Sequence, residues 1–214
     1  MRFKHGFFAL LVACAAPIAA VWPALAEPIQ VVGFGDSLMA GYNLPPGDGF
    51  TDKLQAALRA KGLDVTVANA GVSGDTTSGG LARLDWSVPD GTGLVILELG
   101  ANDMLRGVDP DLVEQNLDRM LARLKARNIP VLIAGMVAAP NLGHAYGEAF
   151  GTIYPRLAEK YGATLYPFFL DGVAGNASLE LEDRMHPNAA GVERMVERIL
   201  PTVEKALAGL PRNP

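Results

Sequence analysis

The sequence has one cysteine, Cys14, and it falls within the amino-terminal 26 residues, which are built like an export signal. Arg2 and Lys4 give a positive start, an apolar run follows from Gly6 through Ala20, and Ala24-Leu25-Ala26 ahead of Glu27 supplies the small-x-small pattern that signal peptidases cut. The expected mature chain, beginning at Glu27, therefore holds no disulfide, and its stability must come from packing. A membrane-spanning run is missing too. Pro17 and Pro23 interrupt the leader, and no uninterrupted stretch reaches the roughly 20 apolar residues that a spanning helix needs. A lipoprotein signal, with Leu11-Val12-Ala13-Cys14 as lipobox and Cys14 as a lipidated first residue, ranks second because the apolar core before Cys14 is short. The expected location is the periplasm or the medium, with no stable membrane span in the mature protein.

Positive charge is also scarce. Residues 1–26 carry two basic side chains and no acids, so the remainder has 16 bases against 23 acids, a net charge of −7. That argues against nucleic acid as a partner. No G-x-x-x-x-G-K-[ST] phosphate loop, internal repeat, low-complexity tract or interdomain linker is visible. What is left, residues 27–214, is enough for one domain with a sizeable core.

Short apolar runs rich in β-branched residues alternate with longer stretches of helical period, the pattern of an α/β domain with a parallel sheet. Five strands are expected, near Ile29–Phe34, Val65–Asn69, Leu94–Leu99, Val131–Met136 and Thr164–Pro167. One helix starts at Asp109-Pro110, a cap residue followed by proline at the first helical position, and lines up Val113, Leu117, Met120, Leu121 and Leu124. Another is expected from about Gly147 to Tyr161, kinked at Pro155. A last helix follows His186-Pro187-Asn188 and should end or bend at Pro201. The expected fold is a three-layer α/β/α sandwich around a five-stranded parallel sheet, flavodoxin-like, with its site at the carboxyl ends of the strands.

Those strand ends carry the polar residues that matter. Gly33-Phe34-Gly35-Asp36-Ser37-Leu38 follows strand one, Asn69-Ala70-Gly71-Val72-Ser73-Gly74-Asp75 strand two, and Gly100-Ala101-Asn102-Asp103 strand three; a late loop reads Asp183-Arg184-Met185-His186-Pro187. Ser37 is a candidate nucleophile, although Gly-Asp-Ser taken singly is ordinary turn chemistry. A serine needs a base, and of the three histidines His5 lies in the leader and His144 in a Gly-rich polar loop. His186 has Asp183 three residues earlier, a spacing that lets the carboxylate accept the Nδ1 proton and leave Nε2 for the serine. Gly74, through its backbone N–H, and Asn102, through its side-chain amide, are candidates to join the N–H of Ser37 in an oxyanion hole, each donor worth roughly 3 kcal/mol of barrier. Gly74 could instead shape a turn, and Asn102 cap a helix.

With these blocks in order, the sequence resembles the SGNH (GDSL-type) hydrolases, named for their Ser, Gly, Asn and His. The four blocks extend over about 150 positions. Leu97-Glu98-Leu99-Gly100-Ala101-Asn102-Asp103 with Leu105-Arg106-Gly107, and Ile153-Tyr154-Pro155, are most similar to the thioesterase I/lysophospholipase L1/arylesterase branch; Ala101 stands where relatives often carry glycine. The resemblance implies hydrolysis of a small-molecule acyl ester, and often of acyl thioesters, through an acyl-enzyme, by a protein that is a monomer or nearly so and needs neither metal nor cofactor.

The acyl pocket is less defined by sequence. Met104 and Leu105 after Asn102, with Pro140, Leu142 and Tyr146 after strand four, are apolar residues placed where an acyl chain could lie, or where they could equally pack beneath a long loop. Of two rival readings, an O-acetyl esterase acting on glycans with the same triad stays open, whereas a non-catalytic flavodoxin-like binding protein is set aside because the phosphate loop is missing and export argues against a nucleotide ligand.

Overall fold

The computed structural model describes residues 27–210; the leader, with Cys14 and the expected cut after Ala26, lies outside the described residues. Five strands form one parallel sheet: β1 (Ile29–Gly35), β2 (Val65–Gly71), β3 (Leu94–Glu98), β4 (Val131–Ala134) and β5 (Thr164–Tyr166), in the order β2-β1-β3-β4-β5. Every expected strand is present. β1 and β2 run further than expected at their carboxyl ends, and the other three stop one or two residues sooner.

The sheet is covered on both faces, which is why its strands read as nearly unbroken apolar runs. On one side α2 (Phe50–Ala60) packs on α8 (Ala189–Ala208). On the other, α3 (Thr77–Ser87) packs on α5 (Pro110–Ala126), which in turn packs on α7 (Ile153–Tyr161). Val31, Phe34, Ile96, Leu97 and Leu132 of the sheet are sealed between Leu54, Leu58, Met195 and Ile199 on one face and Leu84, Leu117 and Leu121 on the other. Two short helices begin at strand ends, α1 (Ser37–Ala40) after β1 and α4 (Ala101–Leu105) after β3.

The two proline-containing stretches differ in outcome. The Gly147–Tyr161 stretch is two helices, α6 (His144–Gly151) and α7, broken at Thr152, three residues before Pro155, rather than one kinked helix. Pro155 stands third in α7, in the first turn, where no backbone N–H has an intrahelical partner to lose. α8 in turn runs through Pro201 to Ala208. Pro201 lies on the solvent side, where the carbonyl it frees can bond to water. Asn188 starts α8 with its side-chain oxygen accepting from the Gly191 N–H, and Asp109 caps α5 in the same way from Asp111.

Strand order fixes where a site can form. From β1 the chain turns to one side to lay down β2 and to the other to lay down β3, so the crevice between β1 and β3 is the topological switch point of the sheet. Ser37 is the first residue of α1 on one side of it, and Asn102 the second of α4 on the other.

Candidate active site

Ser37 is the first residue of α1, and its short side chain is almost covered. Asp36 caps this helix, its Oδ1 accepting from the Leu38 N–H at 3.0 Å. The chain therefore turns sharply from strand to helix at Ser37. The loop ending in α8 brings His186 across 149 residues of sequence, and its Nε2 lies 2.8 Å from Ser37 Oγ. Its Nδ1 lies 2.7 Å from Asp183 Oδ2. An ionised carboxylate can only accept, so Nδ1 carries the proton and Nε2 is left to accept from the serine hydroxyl. The Tyr42 ring lies 4.5 Å from the imidazole, centroid to centroid, and covers it.

Asp183 is well held. Its Oδ1 accepts from the backbone N–H groups of Met185 and His186, both at 3.0 Å. Partial burial works against its charge, but these N–H groups and the imidazole outweigh it and keep the carboxyl below the usual carboxylate range. The loop tightens through Arg184, which adopts φ 59°.

The two proposed oxyanion partners follow β2 and β3, the strands on either side of β1. Gly74 has φ +80°, a conformation that favours glycine, and its carbonyl accepts from Arg106 Nη2 at 2.9 Å. Arg106 directly follows α4, so the Gly74 loop is tied to the segment that carries Asn102. The Asn102 amide nitrogen donates to Asp36 Oδ2 at 2.9 Å, which leaves its other N–H free for a ligand.

Asp36, Glu98, Asp103 and Arg83 were not foreseen as site residues. Asp36 is fully buried, and burial pushes its carboxyl up to about 6, against the pull of the Leu38 N–H and Asn102 amide. Below it, fully buried Glu98 accepts from the Asp36 backbone N–H through Oε2 at 3.2 Å, while Oε1 has no partner. Burial and then the Asp36 charge push the Glu98 carboxyl well above its ordinary value. Asp103 accepts from the Thr77 N–H and hydroxyl at 2.8 and 2.7 Å, fixing α4 to the start of α3. One signal for such residues was available: a glutamate inside the buried run Leu94–Leu99 must have a partner there.

The expected pocket residues separate into two kinds. Met104 is buried, with the Ala139 N–H on its sulfur, and Tyr146 is anchored by its hydroxyl on the Val108 carbonyl, so both brace the loop after β4. Leu105 and Pro140 are exposed and Leu142 half-buried. Among the described residues, seven large apolar side chains stand exposed, and five of them, Tyr42, Val72, Leu105, Val137 and Met185, lie on the segments that follow β1 to β4 or beside His186. The rim of the crevice is therefore apolar although the crevice floor is polar. Two surface cavities of about 430 and 420 Å³ lie elsewhere, between α5 and α7 and at the amino ends of β3 to β5.

Residues 34–194 match the model of the GDSL-like lipase/acylhydrolase family. The chain is 39% identical over 199 residues to an esterase, TesA, of Pseudomonas aeruginosa, covering 92% of this chain and 98% of that one. It is 41% identical over 162 residues to an arylesterase of Vibrio mimicus, covering 74% and 80%. The crystal structure of AlinE4, an SGNH-hydrolase family esterase, superposes with a TM-score of 0.72 at 48% identity, covering 86% of this chain and 99% of that one.

Proposed function

The chain belongs to the GDSL-like lipase/acylhydrolase family and is a serine ester hydrolase, and from that premise we propose that it works through an acyl-enzyme on Ser37. The observation that carries this reading is the unbroken line Asp183–His186–Ser37, with contacts of 2.7 and 2.8 Å. Ser37 Oγ attacks the acyl carbonyl while His186 Nε2 takes the hydroxyl proton, and Asp183 stabilises the imidazolium that forms. The carbonyl oxygen becomes an oxyanion that accepts from the N–H groups of Ser37 and Gly74 and from the free N–H of Asn102. Collapse of this intermediate breaks the bond to the leaving alcohol or thiol, which receives the proton from His186. Water then enters, gives its proton to the same nitrogen, and attacks the acyl-serine. A second oxyanion collapses to free acid, and the proton returns to Ser37.

The substrate is an acyl ester or thioester whose chain lies against the apolar rim, where Leu105, Val137 and Met185 are exposed. Burying even part of that surface under an acyl chain is favourable at about 25 cal/mol per Å² of apolar area. An acetyl group is too small to use it. The protein is exported, loses residues 1–26, and acts as a monomer formed by residues 27–214.

Hydrolysis of p-nitrophenyl esters by residues 27–214 tests the reading. The parent should hydrolyse p-nitrophenyl octanoate at least as well as the acetate, and folded Ser37→Ala should lose several orders of magnitude on both. An Ser37→Ala protein that retains its rate overturns the nucleophile; strong preference for acetate transfers the assignment to an O-acetyl esterase.

A further inference from the structure

Arg83 lies on α3, which contributes none of the residues of the reacting centre, yet its guanidinium reaches three separate segments that do bear on it. Nη2 donates to the Gly35 carbonyl at 2.8 Å, two residues before Ser37. Nη1 donates to the Ala70 carbonyl at 2.8 Å, on the strand that leads to Gly74. Nε donates to Asp75 Oδ2 at 2.7 Å, the residue after Gly74. The group is almost wholly buried, and its central carbon stacks 4.1 Å above the Phe34 ring of β1. The Gly35 carbonyl accepts a second bond from the Val72 N–H at 3.0 Å, so both its lone pairs are committed to the joint between the two loops.

A planar guanidinium presents its donors at fixed angles, which an ammonium cannot do. Arg83 therefore does more than neutralise Asp75. It holds two strand ends and one loop at a set spacing, and those segments carry Ser37 and Gly74, whose N–H groups must meet one developing oxyanion. We propose that Arg83 is a positioning residue that sets the separation of the Ser37 and Gly74 backbone donors. The proposal rests on the acyl-enzyme reading above. Oxyanion stabilisation depends on donors held in place before the charge forms, so loosening this brace should act on the transition state more than on substrate binding.

The test is Arg83→Lys, which keeps a charge for Asp75 but cannot span the two carbonyls, measured beside the parent and Ser37→Ala. Active sites are counted by titration with a p-nitrophenyl alkylphosphonate, so that misfolded protein does not enter the rate. The expected result is a fall of 10-fold or more in kcat per titrated site, KM within about threefold of the parent, and weaker inhibition by a trifluoromethyl ketone in parallel with kcat/KM. Should Arg83→Lys fail to fold, the pair Arg83→Gln with Asp75→Asn replaces the ion pair by neutral amides and should show the same split. A kcat per titrated site within twofold of the parent, with only the active fraction or Tm reduced, overturns the proposal. In the same assay an Ser37→Ala protein as active as the parent would overturn the acyl-enzyme reading instead.

Discussion

The Asn102 side-chain nitrogen lies 2.9 Å from Oδ2 of Asp36, the residue immediately before the proposed nucleophile. A carboxylate in that place accepts one amide hydrogen and so dictates that nitrogen, not oxygen, faces the crevice. Asn102→Ala should lower kcat by about 10²- to 10³-fold, the usual cost of one oxyanion donor. Asp36→Asn leaves the donor present but poorly aimed and should lower kcat by about tenfold, within the worth of a charge-assisted hydrogen bond. Since burial pushes the Asp36 carboxyl up to about 6, its anion forms as pH rises through that value. The kcat ratio of parent to Asp36→Asn should therefore increase between about pH 5 and 7 and level off above, a comparison in which His186 is common to both proteins. A ratio independent of pH would remove Asp36 from the aiming of Asn102.

Glu98 gives a stability prediction of definite sign. Its carboxyl is held well above the ordinary value of 4.5 in the folded protein, by burial and then by the Asp36 charge. Above about pH 4.5 the unfolded chain releases this proton and the native state keeps it, so stability falls as pH rises until the folded group also ionises. Glu98→Gln cannot ionise. Urea unfolding from pH 5 to 8 should show the parent losing stability relative to Glu98→Gln, by at most about 1.4 kcal/mol per pH unit. Parallel curves would mean that Glu98 is already charged in the folded protein.

Asp183 fixes a tautomer. Its Oδ2 lies 2.7 Å from His186 Nδ1, and an asparagine there can offer a hydrogen to that nitrogen instead of taking one. Asp183→Asn should leave the fold intact and lower kcat by about 10³- to 10⁴-fold, because Nε2 would then hold the proton it needs to accept. Steady-state rates with p-nitrophenyl butyrate check this, and a loss below tenfold would show that Asp183 does not orient the base.

Much of this is legible in the sequence. Ser37, Gly74 and Asn102 each follow a short apolar run, and Asp183 and His186 share one loop, so local order along the chain was enough to find them. Asp36, Glu98 and Arg83 were not found because their roles exist only across the sheet: Asp36 meets Asn102 66 positions away, and Arg83 meets Gly35 48 positions away. Arg83 also sits in a helix whose other inward residues are small or apolar, where a long basic side chain reads as surface. Pro201 misleads for the opposite reason. Proline ends a helix only where the carbonyl it frees is missed, and on a wet face water replaces the lost partner.

Mass spectrometry of the protein after reaction with a p-nitrophenyl alkylphosphonate tests the central claim most directly. The account predicts one adduct per active molecule, carried by the peptide containing Ser37, with ester hydrolysis lost in step with labelling, and no labelling of Ser37→Ala. Full hydrolytic activity in a protein labelled at Ser37, or stoichiometric inactivation with the adduct on another residue, would contradict it.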